Sequence, residues 1–192
     1  MSAHPIIYFE GVDGTGKTTL ASGLAKRING VYLKTPPQCI YTITQRAKFS
    51  SCIETFHYHI LGNIVAHYQS QELALLSPVV LDRSYYSTFA NYLDNTDLIK
   101  SMPAPPSPTL IFYLSADWNV IESRLSGRAD RRSHENIPNL QRIDANYRRI
   151  FESLTNVISI QTHESTVQET LDLLTQKASP FLSNAREFCS TR

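Results

Sequence analysis

Between residues 8 and 25 the chain reads YFEGVDGTGKTTLASGLA: an apolar run, a turn holding Gly11, Gly14 and Gly16, then the start of a helical pattern. Glycine at this density ends a strand and delays a helix, so the backbone must bend sharply here and bend bare. The stretch Gly11-Val12-Asp13-Gly14-Thr15-Gly16-Lys17-Thr18 fits the spacing G-x-x-x-x-G-K-[ST]. Glycines let successive N–H groups turn inward around an anion. The helix that follows aims its unpaired N–H groups and the positive end of its dipole at the same point. Lys17 adds a compact cation for the outer phosphates, and Thr18 a hydroxyl for a bridging magnesium. The loop reads as a nucleotide-phosphate site made by Gly11, Asp13, Gly14, Thr15, Gly16, Lys17, Thr18 and Thr19.

The rest of the chain alternates strands with helices. Residues 6–10, 31–33, 79–81, 110–114 and 157–160 are short apolar runs that read as buried strands. Between them, helical patterns cover residues 17–28, 51–76, 117–126 and 137–154, with a mixed helical segment over 85–100 and a last helix over 166–177. Ser51 and Glu54 have the spacing of a capping box, and Ile53, Phe56, Ile60, Ile64 and Tyr68 form one stripe behind them. The proline-rich stretch 103–108 is a loop and not a domain boundary, because strand-like residues resume at Leu110. Strand–helix alternation implies a parallel sheet covered on both faces. The expectation is one α/β domain over residues 1–192, with a five-stranded parallel sheet.

Bulk properties narrow the function. Lysine and arginine (18) nearly balance aspartate and glutamate (17), so nucleic acid is not an expected partner. No apolar run approaches the roughly 20 residues needed to span a bilayer, and no leader-like segment precedes the first strand. Cys39, Cys52 and Cys189 are odd in number and widely spaced, which suits reduced thiols in a cytoplasmic protein. The histidines show no metal-site or triad spacing.

Two further features bear on chemistry. Asp82 and Arg83 end the third strand: the acid can organise magnesium, and the arginine points toward the crevice where a second anion could lie. Arginines then gather around Gly127, at Arg124, Arg128, Arg131 and Arg132. They form either a solvated basic face or a lid, about residues 127–136, that closes over a nucleotide. Arg124 lies at a helical position and could equally be structural.

These residues together resemble the thymidylate kinase family of nucleoside monophosphate kinases, over roughly residues 6–150. FEGVDGTGKTT is similar to that family's phosphate loop. DRSYYSTFA (82–90) is similar to its aspartate–arginine motif, with Ser87 and Ala90 at matching positions. ESRLSGRADRRSHE, followed by LQRIDANYRRI with its Tyr147, is similar to the lid and the helix after it. The resemblance implies a P-loop NTPase-type sheet with a basic lid. It implies transfer of the ATP γ-phosphoryl group, with Mg2+, to a pyrimidine deoxynucleoside monophosphate, dTMP first. Catalysis would fall to Lys17, Arg83, Arg128 and Arg132, and metal binding to Thr18 and Asp82. Asp13 would sit near the acceptor's sugar hydroxyl and Arg83 on its phosphate, with Ser87 beside them. Gly14 stands where some family members carry an arginine; those with glycine there take the positive charge from the lid, which the basic lid of this chain matches. Family members are commonly homodimers.

Three departures touch the acceptor site. After the second strand the chain has LKTPPQ, so Lys34 would replace the family's arginine there. The helix 51–76 lacks the arginine the family turns toward thymine, leaving Phe56 and Tyr58 to stack on a base and Asn63 to offer its amide. Asn91-Tyr92 stands where tyrosine–glutamine is usual. A deoxynucleoside kinase and a non-catalytic nucleotide-binding relative are the alternatives; a GTPase is not, for lack of its guanine motif.

Overall fold

The computed structural model describes residues 3–44, 49, 51–102, 104–127 and 135–183. Strand β1 (Ile6–Glu10) leads through the glycine turn into helix α1 (Lys17–Arg27). Then come β2 (Val31–Lys34), α2 (Gln38–Thr44), α3 (Cys52–Ala74), β3 (Val79–Asp82), α4 (Tyr85–Tyr92) and α5 (Thr96–Lys100). The chain continues with β4 (Leu110–Ser115), α6 (Trp118–Ser126), α7 (Ile137–Phe151), β5 (Val157–Gln161) and α8 (Val167–Ser183).

The five strands form one sheet in the order β2-β3-β1-β4-β5, and every pairing is parallel. Alternation within each strand sorts the core into two layers. Tyr8, Val79, Leu81, Ile111 and Tyr113 face α3, α4, α6 and α7, meeting Ala66, Ala90, Ile121, Leu140 and Tyr147. Ile7, Phe9, Val80, Leu110, Phe112 and Leu114 face α1 and α8, meeting Leu20, Leu24, Leu171 and Leu174. Because β1 lies between β3 and β4, its C-terminal turn opens at the centre of the sheet, beside the end of β3 at Asp82.

The strands and most helices fall where their apolar runs predict, and the differences are informative. The sequence reading missed α2, a seven-residue helix behind the Pro36-Pro37 turn with no acidic or basic end residues to mark it. The segment 85–100 is two helices, separated at Asp94 and restarted by the Asn95 side chain, which accepts from the Leu98 N–H. Helix α8 runs past Lys177, burying Leu174 and Ala178 against the sheet.

The stripe expected to anchor α3 is the largest correction. Ser51 does cap this helix, its hydroxyl accepting from the Glu54 N–H at 3.1 Å. Yet Ile53 is 55% exposed and Tyr68 64%; of the stripe only Phe56 is buried. The face turned to the protein carries Phe56, Gly62, Asn63, Ala66, Ser70 and Ala74, mostly small residues that let the helix axis come close. Gly62 shows why: a Cβ there would meet the Pro36 Cβ at 2.7 Å. Alanine outranks glycine by about 1 kcal/mol in a helix interior, but overpacking against a rigid proline ring costs about 1–3 kcal/mol. Gly62→Ala is therefore expected to be neutral to destabilising despite its better helix propensity, by up to about 2 kcal/mol in urea unfolding. A clear gain in stability would show that Pro36 yields.

Candidate active site

The glycine turn joins β1 to α1 where its spacing predicts. Gly11, Gly14 and Gly16 all have positive φ, and Gly16 in the left-handed region starts α1. Gly14 is held from outside by α6: at φ +88 a Cβ would meet the Ile121 Cγ2 at 3.0 Å. The Thr15 hydroxyl donates to the Val12 carbonyl at 2.9 Å, and the Lys17 ammonium donates to the same oxygen at 2.7 Å. Lys17 is thus folded back across the loop it will serve. Burial, with Arg83 nearby, pushes its pKa down to about 8, although Asp13, Asp82 and Glu10 act in the other direction.

Thr18 lies one residue on, and its hydroxyl donates to the Asp82 Oδ2 at 2.5 Å. Tyr32 of β2, which the sequence reading did not single out, donates to the same oxygen at 3.1 Å. Asp82 Oδ1 is buried without a hydrogen-bond partner. A free carboxylate oxygen beside a threonine hydroxyl fits a hard cation that takes oxygen ligands and keeps several waters. No cluster of three His, Cys, Asp or Glu that could hold a metal occurs among the described residues. A cation at Thr18 and Asp82 would complete its shell with water and phosphate oxygens.

Arg83 follows, with φ +72, a left-handed backbone that non-glycine residues seldom adopt. Its guanidinium donates to Asp13 Oδ1 at 2.6 Å and reaches Ser87 Oγ at 3.4 Å. Burial opposes its charge, but Asp13, backed by Asp82 and Glu10, outweighs that, and its pKa lies above the ordinary value. Asp13, expected near a sugar hydroxyl, joins the phosphate loop to this second cation.

Behind Arg83 is a carboxylate that the sequence reading left unassigned. Glu10, the last residue of β1, is fully buried. It accepts from Ser84 at 2.5 Å, Ser87 at 2.6 Å and Tyr147 at 2.9 Å. Burial pushes its pKa up; the three hydroxyls and Arg83 hold it back.

Arg124 proves to be a brace. It donates to the Gly14 carbonyl at 3.1 Å and to the Thr162 hydroxyl and carbonyl at 3.1 and 2.9 Å, fixing the phosphate loop to the turn after β5. The remaining acceptor-side candidates fare unevenly. Lys34 is exposed at the end of β2, and Thr19 is exposed on α1. Phe56 is 1% exposed and packs against the rings of Tyr92 and His57, which makes it core and not a stacking platform. Asn63 is 3% exposed, and its amide nitrogen donates to Thr88 at 2.8 Å, so the amide is spent inside the protein. Both depart from the expected base-contacting role, because they lie on the inner face of α3, Phe56 held among aromatic rings and Asn63 bonded to α4. Tyr58 stays half-buried, its ring 5.1 Å from Phe49. Arg128, Arg131 and Arg132 lie outside the described residues.

A phosphate cradle on a parallel α/β sheet, with a second cation one strand away, defines a phosphate-loop nucleotide kinase. The chain belongs to the thymidylate kinase family, whose model matches residues 9–173. It is 30% identical over 176 residues to a probable thymidylate kinase of Methanococcus aeolicus, covering 85% of this chain and 90% of that one. It is 24% identical to a thymidylate kinase of Leptospira borgpetersenii, covering 87% and 91%. Among solved structures, thymidylate kinase of Candida albicans superposes with a TM-score of 0.78 at 19% identity, covering 94% of this chain and 93% of that one. A deoxyadenosine kinase of M. mycoides superposes at 0.69 with 16% identity, covering 91% and 99%. The fold, the family and the kinase class agree.

Lys17 generates a prediction with two readouts. Removing one preorganised donor from a transition state costs about 10²- to 10³-fold in rate, so Lys17→Met should lose at least that in turnover. The lowered pKa carries its own sign. Between about pH 8 and the unfolded lysine value of 10.5, the unfolded chain binds more protons than the folded one, so wild-type stability rises with pH there. Lys17→Met lacks this rise. The melting-temperature difference, wild type minus variant, should increase from pH 7 to pH 10; a flat difference would return Lys17 to an ordinary pKa.

Proposed function

We propose that the chain transfers the ATP γ-phosphoryl group to a pyrimidine deoxynucleoside monophosphate, with dTMP as the leading acceptor and dTDP and ADP as products. The observation that carries this reading is the second cation: Arg83, tied to the phosphate loop through Asp13 at 2.6 Å, stands beside Lys17 in the same crevice. One suits the donor's phosphates and the other an acceptor that already carries a phosphate. In the proposed reaction an acceptor phosphate oxygen attacks the γ-phosphorus as the bond to the β–γ bridging oxygen breaks. Mg2+ held by Thr18 and Asp82 would neutralise charge on the β- and γ-phosphates. Lys17 leaves the Val12 carbonyl to meet the transferring group, and the loop N–H groups hold the phosphates behind it.

Other assignments belong to the same proposal. Residues 1–192 act as one kinase domain in which Arg128 and Arg132, on a lid over about 127–136, meet charge that builds during transfer. Ser87 and Lys34 flank the acceptor phosphate. Tyr58 stays beside the base, and the lack of an arginine on α3 leaves room for dUMP or dCMP as well. Small nucleotides are the partners. No helix among the described residues is long and apolar enough to cross a membrane.

The test is a coupled assay with ATP, magnesium and a panel of nucleosides and monophosphates. Wild type should favour dTMP, and Arg83→Ala should lose monophosphate phosphorylation while slow ATP hydrolysis stays near its wild-type rate. Phosphorylation of nucleosides alone would replace this reading with a deoxynucleoside kinase; a preference for purines would overturn the pyrimidine assignment.

A homodimer through α3 completes the proposal. Ile53, Leu61, Tyr68 and Leu75 are exposed at seven- to eight-residue spacing along one face of that helix. Wild type should sediment as a dimer, and Leu61→Glu combined with Tyr68→Glu as a monomer. A wild type that sediments as a monomer at tens of micromolar would leave the stripe unassigned.

A further inference from the structure

Arg83 sits in a strained conformation, and its neighbours on both sides are pinned. Before it, Asp82 is gripped by Thr18 and Tyr32. Its own N–H donates to the Phe9 carbonyl at 3.0 Å. After it, Ser84 and Ser87 both donate to the Glu10 carboxylate. A residue with φ +72 persists only where its surroundings over-determine it. On the C-terminal side Glu10 does so.

Glu10 is an expensive way to glue a core. A fully buried carboxylate loses its water, and well-packed apolar residues in place of buried ionic groups are often neutral or stabilising. What apolar residues would not supply is direction. Ser84 accepts from the Tyr86 N–H at the start of α4 while donating to Glu10. Ser87 lies between Glu10 and the Arg83 guanidinium. Tyr147 comes from α7, the helix after residues 127–136, and touches both Glu10 and Ser87, at 2.9 and 2.8 Å. One carboxylate therefore fixes the first turn of α4, the outer side of Arg83 and one point on α7.

We propose that Glu10 is a positioning residue for the acceptor phosphate: through Ser84, Ser87 and Tyr147 it holds Arg83 in the conformation that receives this phosphate and keys that conformation to α7. Glu10 touches neither substrate, and its effect falls on the acceptor and not on ATP. This assignment rests on the monophosphate kinase reading above.

Glu10→Ala, Glu10→Gln and Tyr147→Phe, each in the full chain, test it by steady-state kinetics with ATP and dTMP varied in turn. Glu10→Ala should raise the KM for dTMP about tenfold or more and leave the KM for ATP within about twofold. Glu10→Gln keeps an acceptor oxygen toward one side of the network and puts an amide donor on the other, so its dTMP KM should rise about threefold, between wild type and Glu10→Ala, and Tyr147→Phe should raise it about threefold to tenfold. If Glu10→Ala does not fold, the two conservative variants carry the test. Both KM values rising together, or neither rising while turnover falls with the folded fraction, would make Glu10 mere fold support and overturn the proposal. Failure of the underlying reading looks different: wild type itself would phosphorylate no monophosphate.

Discussion

Five ionisable side chains meet where β1 and β3 end: Lys17 and Arg83 against Asp13, Asp82 and Glu10. All are wholly or largely removed from water. Charges in such a place hold only if each is paired and its remaining valences are filled, and nearly every contact in the crevice follows from that demand. Asp13 answers Arg83; Thr18 and Tyr32 answer one oxygen of Asp82; Ser84, Ser87 and Tyr147 answer Glu10. Among the described residues, the hydrogen-bond partner of Lys17 is the Val12 carbonyl, with the three carboxylates acting on it only through space. That carbonyl is neutral and is shared with the Thr15 hydroxyl, and the buried oxygen of Asp82 has no hydrogen-bond partner among the described residues. The two least satisfied groups are the ones the proposed reading assigns to the nucleotide and its cation.

The sheet supplies the meeting place. Parallel strands in the order β2-β3-β1-β4-β5 put β1 at the centre with its turn facing the end of β3. The two core layers are sorted by plain alternation along the strands, so helices flank the crevice without filling it. α6 supports the loop from below through Ile121 and Arg124, and α4 and α7 close its far side.

Much of this could be read from the chain because it depends on local pattern. The phosphate loop is a contiguous spacing, and Asp82-Arg83 ends an apolar run, so both could be placed without knowing what lay opposite. Glu10 and Tyr32 could not, since their roles come from partners 74 and 50 residues away. A glutamate closing a strand looks the same whether it faces solvent or three hydroxyls. Arg124 was left open for the same reason, and only the turn at Thr162, 38 residues on, settles it as a brace. On α3 the apolar stripe misled. Hydrophobicity marks what avoids water, but from Gly62 onward closeness to the sheet selected small residues; Phe56 and Asn63 share that inner face, while Ile53, Leu61 and Tyr68 turned out.

Ile121 beneath Gly14 has a bearing on how this crevice can change over time. Position 14 is left-handed and backed by α6 at 3.0 Å, so a side chain there strains the backbone and needs Ile121 to give by a few tenths of an ångström. An arginine there asks both the turn and the Ile121 side chain to shift. Either shift loosens the contact between α6 and the glycine turn. The two positions are sterically coupled, and a change at one is felt at the other.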